Sequence, residues 1–209
     1  MYRINSLLES LHYLDDIKVV LFDLDDTLYS EKDYVKSGYD KISKLFPEIS
    51  NMSGKLWDAF CAKEKAIDFV LKKEGLYSEQ SLKKCLFTYR EQNPNITLYP
   101  KAKILLEKLK NKQLGMITDG RIEGQIAKIK ALGIEKYFNK IIITDALGGI
   151  EFRKPNPKAF ILMAEHFGVH FSEMAYIADN INKDFVATEN LGIKSIWFDN
   201  ADGLYYKGN

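Results

Sequence analysis

Apolar residues recur along this chain with two different periods, and the switch between them divides it. Over residues 2–14, Tyr2, Ile4, Leu7, Leu8, Leu11 and Leu14 fall at spacings near 3.6, which predicts a short helix. Residues 17–22 then run almost unbroken as Ile17, Val19, Val20, Leu21 and Phe22, the pattern of a strand buried on both faces. From residue 31 the character changes. Residues 31–46, 54–73 and 78–92 each carry the apolar stripe of an amphipathic helix, separated by Pro47, Gly75 and Asn93-Pro94. No strand pattern interrupts them.

Beyond Tyr99-Pro100 helix and strand patterns alternate. Helices are expected over 101–111, 122–132, 157–167 and 183–191, leading in turn to strands over 114–118, 140–144, 175–178 and 194–198. Such αβ units predict a parallel sheet with helices on both faces. The chain therefore reads as an α/β core, residues 1–30 and 98–209, carrying a helical insertion over residues 31–97. No internal repeat or low-complexity segment interrupts this plan.

Composition narrows the function classes. A length of 209 residues suits one domain with an insertion, and 46% hydrophobic content suffices for a core. A net charge of +1 gives no reason to expect nucleic acid or an acidic membrane surface as partner. The lysine-rich stretches 63–73 and 101–112 alternate with apolar residues at helical spacing and read as solvated helix faces. Two cysteines, Cys61 and Cys85, with no CxxC and no Cys/His cluster, make a structural zinc site unexpected and suit a reducing compartment. No apolar run reaches the roughly 18 residues of a bilayer span. Charges at Arg3, Glu9, Asp15 and Asp16 break any signal-peptide pattern, so a cytoplasmic location is expected.

Ligands of open parallel sheets bind beyond the carboxyl ends of the strands, so residues just past each strand are the place to look. Asp23 and Asp25 follow the first strand. Two neighbouring acids repel, and either a divalent cation or nucleophile-plus-acid chemistry would account for them; a solvated turn capping the next helix would too. Thr118-Asp119-Gly120 follows the second strand and suits either a strand-to-helix turn or a phosphate cradle. Lys154 lies in the stiff loop Lys154-Pro155-Asn156-Pro157, where Asn156 and Pro157 suit a helix start. Asp179 directly follows the apolar run Ala175–Ala178, as Asp23 follows its strand, and Asp184 stands five residues on.

With these residues in order, the chain resembles the haloacid dehalogenase (HAD) superfamily. Asp23-Leu24-Asp25-Asp26-Thr27-Leu28 matches its first motif, DxDxTL. Thr118 matches the hydroxyl of the second motif, Lys154 the lysine of the third, and Asp179 with Asp184 the acids of the fourth. Asp119 stands where Asn is common, Ala178 where Gly is common, and Asp26 where Gly is frequent. The N-terminal sixteen residues have no counterpart in the family, leaving a packing helix, a cap contact or an oligomer contact as their role.

The resemblance implies a Rossmann-like core with an α-helical cap of the C1 type inserted after the first motif. It implies Mg²⁺ as cofactor, held by Asp23, the Asp25 carbonyl and Asp179, with Asp184 acting through water or on Asp179. Asp23 is then the nucleophile that forms an aspartyl-phosphate, and Asp25 the acid and base. Thr118, Asp119, Gly120 and Lys154 fall at the phosphate. An acid at residue 25 suits phosphatases and phosphomutases, whose alcohol leaving group needs a proton; the dehalogenases lack it and the P-type ATPases place Thr there.

A phosphatase acting on a small-molecule phosphate ester is the function expected, as a monomer or homodimer. A sugar phosphomutase of the β-phosphoglucomutase kind is the alternative, disfavoured because His12, His166 and His170 all fall outside the helical insertion. A non-catalytic binding protein would have lost a motif residue, and none is lost. Tyr29, Lys32, Tyr34 and Arg121 are candidates for substrate specificity, and equally for packing or solvated surface.

Overall fold

The computed structural model describes residues 1–204 and 206. The chain forms two compact units, residues 1–31 with 97–209, and residues 32–96.

In the first unit six parallel strands form one sheet: β1 (Tyr2–Ile4), β2 (Val19–Phe22), β3 (Gln113–Thr118), β4 (Lys140–Ile143), β5 (Met174–Ala178) and β6 (Lys194–Phe198). Their spatial order is β1-β6-β5-β2-β3-β4. The chain thus builds outward from β2 through β3 to β4, then returns to the other side of β2 for β5 and β6. Such a reversal opens a crevice at the carboxyl ends of the strands beside β2. This is an α/β, Rossmann-like architecture, as the resemblance implies.

Every residue of β2 and β5 is buried. Because successive side chains of a strand point to opposite faces, both faces of the sheet must be covered. On one face Val19, Leu21, Ile117, Met174 and Tyr176 join Phe160 and Met163 of α7 (Lys158–Phe167) in a continuous core. Among the described residues the other α-helices of this unit are α5 (Pro100–Lys108), α6 (Ile122–Leu132) and the short α8 (Val186–Leu191).

The N-terminal residues correct the expectation of a helix over 2–14. Residues 2–4 are an edge strand, Tyr2 opposite Ile196 and Ile4 opposite Phe198, and only Leu7–Tyr13 coils, as a 3₁₀ helix. Ile4 and Leu7 are buried in both arrangements, but the β6 edge offers backbone partners that an isolated helix of this length lacks. The last expected helix is also shorter, since α8 begins only at Val186. Asp184 Oδ2 accepts the Asn180 N–H at 3.1 Å and holds residues 180–184 as a turn.

The second unit holds α2 (Met52–Cys61), α3 (Ala66–Lys73), α4 (Glu79–Arg90) and all of α1 (Glu31–Ser43) but its first residue. Val35, Ile42, Leu56, Val70, Leu71 and Cys85 form its core. The single helix expected over 54–73 is two helices. Lys63 takes a left-handed φ of 61°, and the Lys63 and Glu64 N–H groups turn back to the Phe60 and Ala59 carbonyls. That closure satisfies carbonyls at the end of α2. Ser78 starts α4 with a reciprocal cap to Ser81, at 3.0 and 2.9 Å.

Candidate active site

Register brings the motif residues together. Phe22 lies opposite Met116 on one side and Ile177 on the other, so Asp23, Thr118 and Asp179 emerge at the same end of the sheet. The Asp23 N–H still donates to the Ile177 carbonyl at 3.0 Å, which extends the sheet to the carboxylate. The chain then reverses at Asp26, whose φ of 54° is a left-handed conformation that Asp tolerates and Gly favours. Asp26 Oδ1 accepts the Glu31 N–H at 2.8 Å and Oδ2 the Leu204 N–H at 2.7 Å. Both of its oxygens are committed to the turn.

Asp23, Asp179 and Asp184 each offer an oxygen within 4.8 Å of the others, and all three residues are buried. Lys154 stands among them. Its Nζ donates to Asp23 Oδ1 at 2.5 Å and to the Tyr176 hydroxyl at 2.8 Å. It also lies 2.9 Å from Asp184 Oδ1, yet outside hydrogen-bond geometry, so that buried oxygen has no hydrogen-bond partner. Thr27 Oγ1 reaches Asp179 Oδ1 at 3.4 Å.

Two acids of this cluster, Asp23 and Asp179, are held out of their ordinary range. Burial, only partly offset by Lys154 and reinforced by Asp184, pushes Asp23 up to about 7. Burial, then the charges of Asp23 and Asp184, push Asp179 up to about 9. For Lys154 burial works against the charge, but Asp184 and Asp23 outweigh it and hold the ammonium well above the usual lysine range. Three buried carboxylates sharing one lysine leave an excess of negative charge, and hard oxygen donors in that arrangement suit a divalent cation.

Asp25 sits in a different setting. Lys128 Nζ donates to its Oδ1 at 2.7 Å, the Tyr29 hydroxyl donates to the same oxygen, and Gln125 Nε2 reaches Oδ2 at 3.2 Å. Burial would raise this carboxyl, but the Lys128 charge and these donors together hold it below the usual range.

Thr118 Oγ1 donates to Gln125 Oε1 at 3.2 Å. Asp119 ties loops together: Oδ1 accepts from the Lys154 N–H at 3.1 Å and Thr144 Oγ1 at 2.9 Å, and Oδ2 from Lys183 Nζ at 2.9 Å. Asp23, Asp25, Lys154 and Asp179 line one cavity of about 340 Å³, with Glu31, Arg153 and Lys183. Burial and the nearby Asp25 push Glu31 up to about 8.

Of the specificity candidates, Tyr29 is fully buried against Asp25 and Arg121 is exposed at the start of α6. Lys32 and Tyr34 belong to the helical unit, where Tyr34 packs edge-on against Tyr89 at 5.7 Å. Sequence reasoning passed over Gln125, Lys128, Glu31, Lys183 and Tyr176. A signal for two of them lies in α6, which is inverted: Gln125 and Lys128 are 4% and 5% exposed, whereas Ile126 is 52% exposed. Leaving an isoleucine outside forgoes up to about 2 kcal/mol, and a buried ammonium costs several more unless paired. Asp25 is the partner that offsets it.

This fold and site define a hydrolase class. The family profile described as haloacid dehalogenase-like hydrolase matches residues 20–198, and the chain belongs to that family. Among its relatives, the glyceraldehyde 3-phosphate phosphatase of Methanocaldococcus jannaschii is 30% identical over 86% of this chain and 84% of its own length. The enzyme of that name from Pyrococcus abyssi is 27% identical over 87% and 81%. A HAD-superfamily hydrolase of subfamily IA from Geobacter sulfurreducens superposes with a TM-score of 0.67 at 18% identity, covering 89% of each chain. A magnesium-bound putative HAD-hydrolase of Bacillus subtilis superposes with 0.64 at 19% identity, over 87% of this chain and 86% of that one.

Proposed function

We propose that this protein is a Mg²⁺-dependent phosphatase that hydrolyses a small phosphorylated metabolite through an aspartyl-phosphate on Asp23. Its family and its phosphatase relatives make it a phosphoric monoester hydrolase. The observation that carries the finer reading is the buried cluster of Asp23, Asp179 and Asp184, with Lys154 paired to Asp23 and Asp184.

The residues fit a divalent cation, because Asp184 Oδ1 lacks a hydrogen-bond partner and burial beside like charges pushes Asp23 and Asp179 toward protonation. Asp23, Asp179 and the Asp25 carbonyl would hold Mg²⁺, with Asp184 supporting them. Bound there, the cation lowers the repulsion between an anionic carboxylate and an anionic phosphate. The remaining work falls to the chain's own groups. Lys154 keeps Asp23 oriented and adds positive charge beside the transferring phosphoryl group. Thr118 supplies a hydroxyl at the head of α6. Asp119 we assign to holding the Lys154 loop, since a carboxylate already accepting three donors is a poor phosphate ligand.

Asp25 serves two steps. As the carboxylate its neighbours favour, it takes a proton from the water that cleaves the aspartyl-phosphate. In the first step it gives a proton to the leaving oxygen, and the negative charge of an arriving phosphate favours its taking up that proton. The insertion of residues 32–96 between the first and second motifs corresponds to a C1-type cap.

The relatives make glyceraldehyde 3-phosphate the first ester to try within a metabolite panel read by phosphate release. The purified protein is expected to release phosphate with Mg²⁺ and not with EDTA, and Asp23→Asn to lose at least about 10³-fold in kcat. An Asp23→Asn variant that keeps its rate contradicts the mechanism.

A further inference from the structure

The inverted face of α6 points to a role for its buried polar residues. Lys128 and the Tyr29 hydroxyl both donate to Asp25 Oδ1, which fills the two acceptor positions of that oxygen. Oδ2 receives Gln125 Nε2 and keeps one acceptor position. Gln125 is itself fixed: its Oε1 accepts from Thr118 Oγ1 at 3.2 Å, and its Nε2 also donates to the Asp119 carbonyl at 2.9 Å. Gly120 makes room for it, since a Cβ there would stand 2.6 Å from Gln125 Nε2 and the backbone φ is 139°.

We infer that Lys128 and Gln125 are positioning residues that lock the rotation of the Asp25 carboxylate, so that Oδ2 is the oxygen presented to the leaving group. This inference rests on the phosphatase reading above. In the phosphoryl-transfer step the bond between Asp23 and phosphorus forms and the bond from phosphorus to the leaving oxygen breaks. The proton on Asp25 Oδ2 passes to that oxygen. A carboxylate free to rotate would spend only part of its time with a usable oxygen in line, and the loss would fall on leaving groups that need a proton.

Two aryl esters of nearly equal size separate that role from a merely structural one. Phenyl phosphate has a poor leaving group that benefits from protonation, whereas 4-nitrophenolate departs unprotonated. Rates are compared as kcat/KM with Mg²⁺ present, which covers formation of the phosphoenzyme and not its hydrolysis. Lys128→Met is expected to lose about 100-fold on phenyl phosphate and no more than about 5-fold on 4-nitrophenyl phosphate, Asp25→Asn showing the same selectivity. Lys128→Arg should recover part of the difference. Gln125→Met, which gives up neutral hydrogen bonds only, should show a smaller loss of the same selectivity, and it decides the matter if Lys128→Met fails to fold in a thermal melt. Equal losses on both esters in the Lys128 and Gln125 variants, with Asp25→Asn still selective, overturn the inference alone. A wild-type protein that turns over neither ester, nor any phosphate of the metabolite panel, removes the phosphatase reading and this inference with it.

Discussion

Asp23 and Asp25 stand two residues apart at one strand end, yet their surroundings drive them in opposite directions. Asp23 shares one lysine with two other buried acids and is pushed up to about 7. Asp25 has Lys128 as its own counter-ion, with Tyr29 and Gln125 as further donors, and is held below the usual carboxylate range. A carboxylate in a charge-excess cluster calls for further positive charge, while one with its own counter-ion keeps its charge without it. Divergent environments around paired acids divide their chemical roles. The contrast lies in which helices and loops supply the donors, since the two residue types are identical.

Breaking the cluster side should have the larger effect. On the proposed mechanism Asp179→Asn takes away a carboxylate that would hold the cation, and it is expected to cost about 100-fold or more in phosphatase activity. The same change removes the cost of keeping this buried acid protonated at pH 8, below its folded value of about 9, so in EDTA it should raise the stability of the protein by about 1–3 kcal/mol. An activity assay beside a thermal melt reads both; a variant that loses activity and stability together would contradict the charge-excess account.

The pH dependence of the metal-free protein sharpens the same contrast. Its folded state keeps protons on Asp23 and Asp179 that the unfolded chain has released. Their contribution therefore falls as pH rises from about 4 and stops changing above folded values of about 7 and about 9. Asp25 runs the other way: its contribution is present above the unfolded value and is lost as pH falls through the lower folded value. Melts in EDTA should show stability declining from pH 5 to pH 9, Mg²⁺ restoring it most at the alkaline end, and Asp179→Asn flattening the slope. A metal-free melt that is flat over this range counts against the account.

The smallest effect is expected at the turn just after the two acids. Asp26→Ala places a Cβ residue without a local acceptor at a φ of 54° and removes both bonds to the Glu31 and Leu204 N–H groups. A loss of about 1–2 kcal/mol is expected, with Asp26→Asn keeping more of the stability because Asn also tolerates the left-handed region. Equal melting temperatures for the two variants would contradict the turn role.

Much of this was legible in the chain itself. Apolar runs that end in Asp23, Thr118 and Asp179 mark strands and their carboxyl ends without any tertiary information, and alternation with helices makes the sheet parallel. What escaped depends on contacts made at long range. The first strand is only three residues long, and Ile4 and Leu7 suit a helical stripe as well as a strand edge. Only β6, almost two hundred residues away, decides between them. Gln125 and Lys128 occupy helix positions where apolar residues are the ordinary expectation. Their burial makes sense once Asp25, about a hundred residues earlier, is placed beside them. The break of one expected helix at Lys63 was hidden for a local reason, because lysine rarely takes a left-handed φ.

The central claim is that Asp23, and not Asp25, carries the phosphoryl group. Mixing the protein with 4-nitrophenyl phosphate and Mg²⁺, quenching in acid and reducing with borohydride converts an aspartyl-phosphate to homoserine, which peptide mass spectrometry locates. Homoserine at residue 23 is predicted, absent from Asp23→Asn and from samples without substrate. Homoserine at residue 25, or rapid phosphate release with no modified aspartate at any time point, would contradict the account.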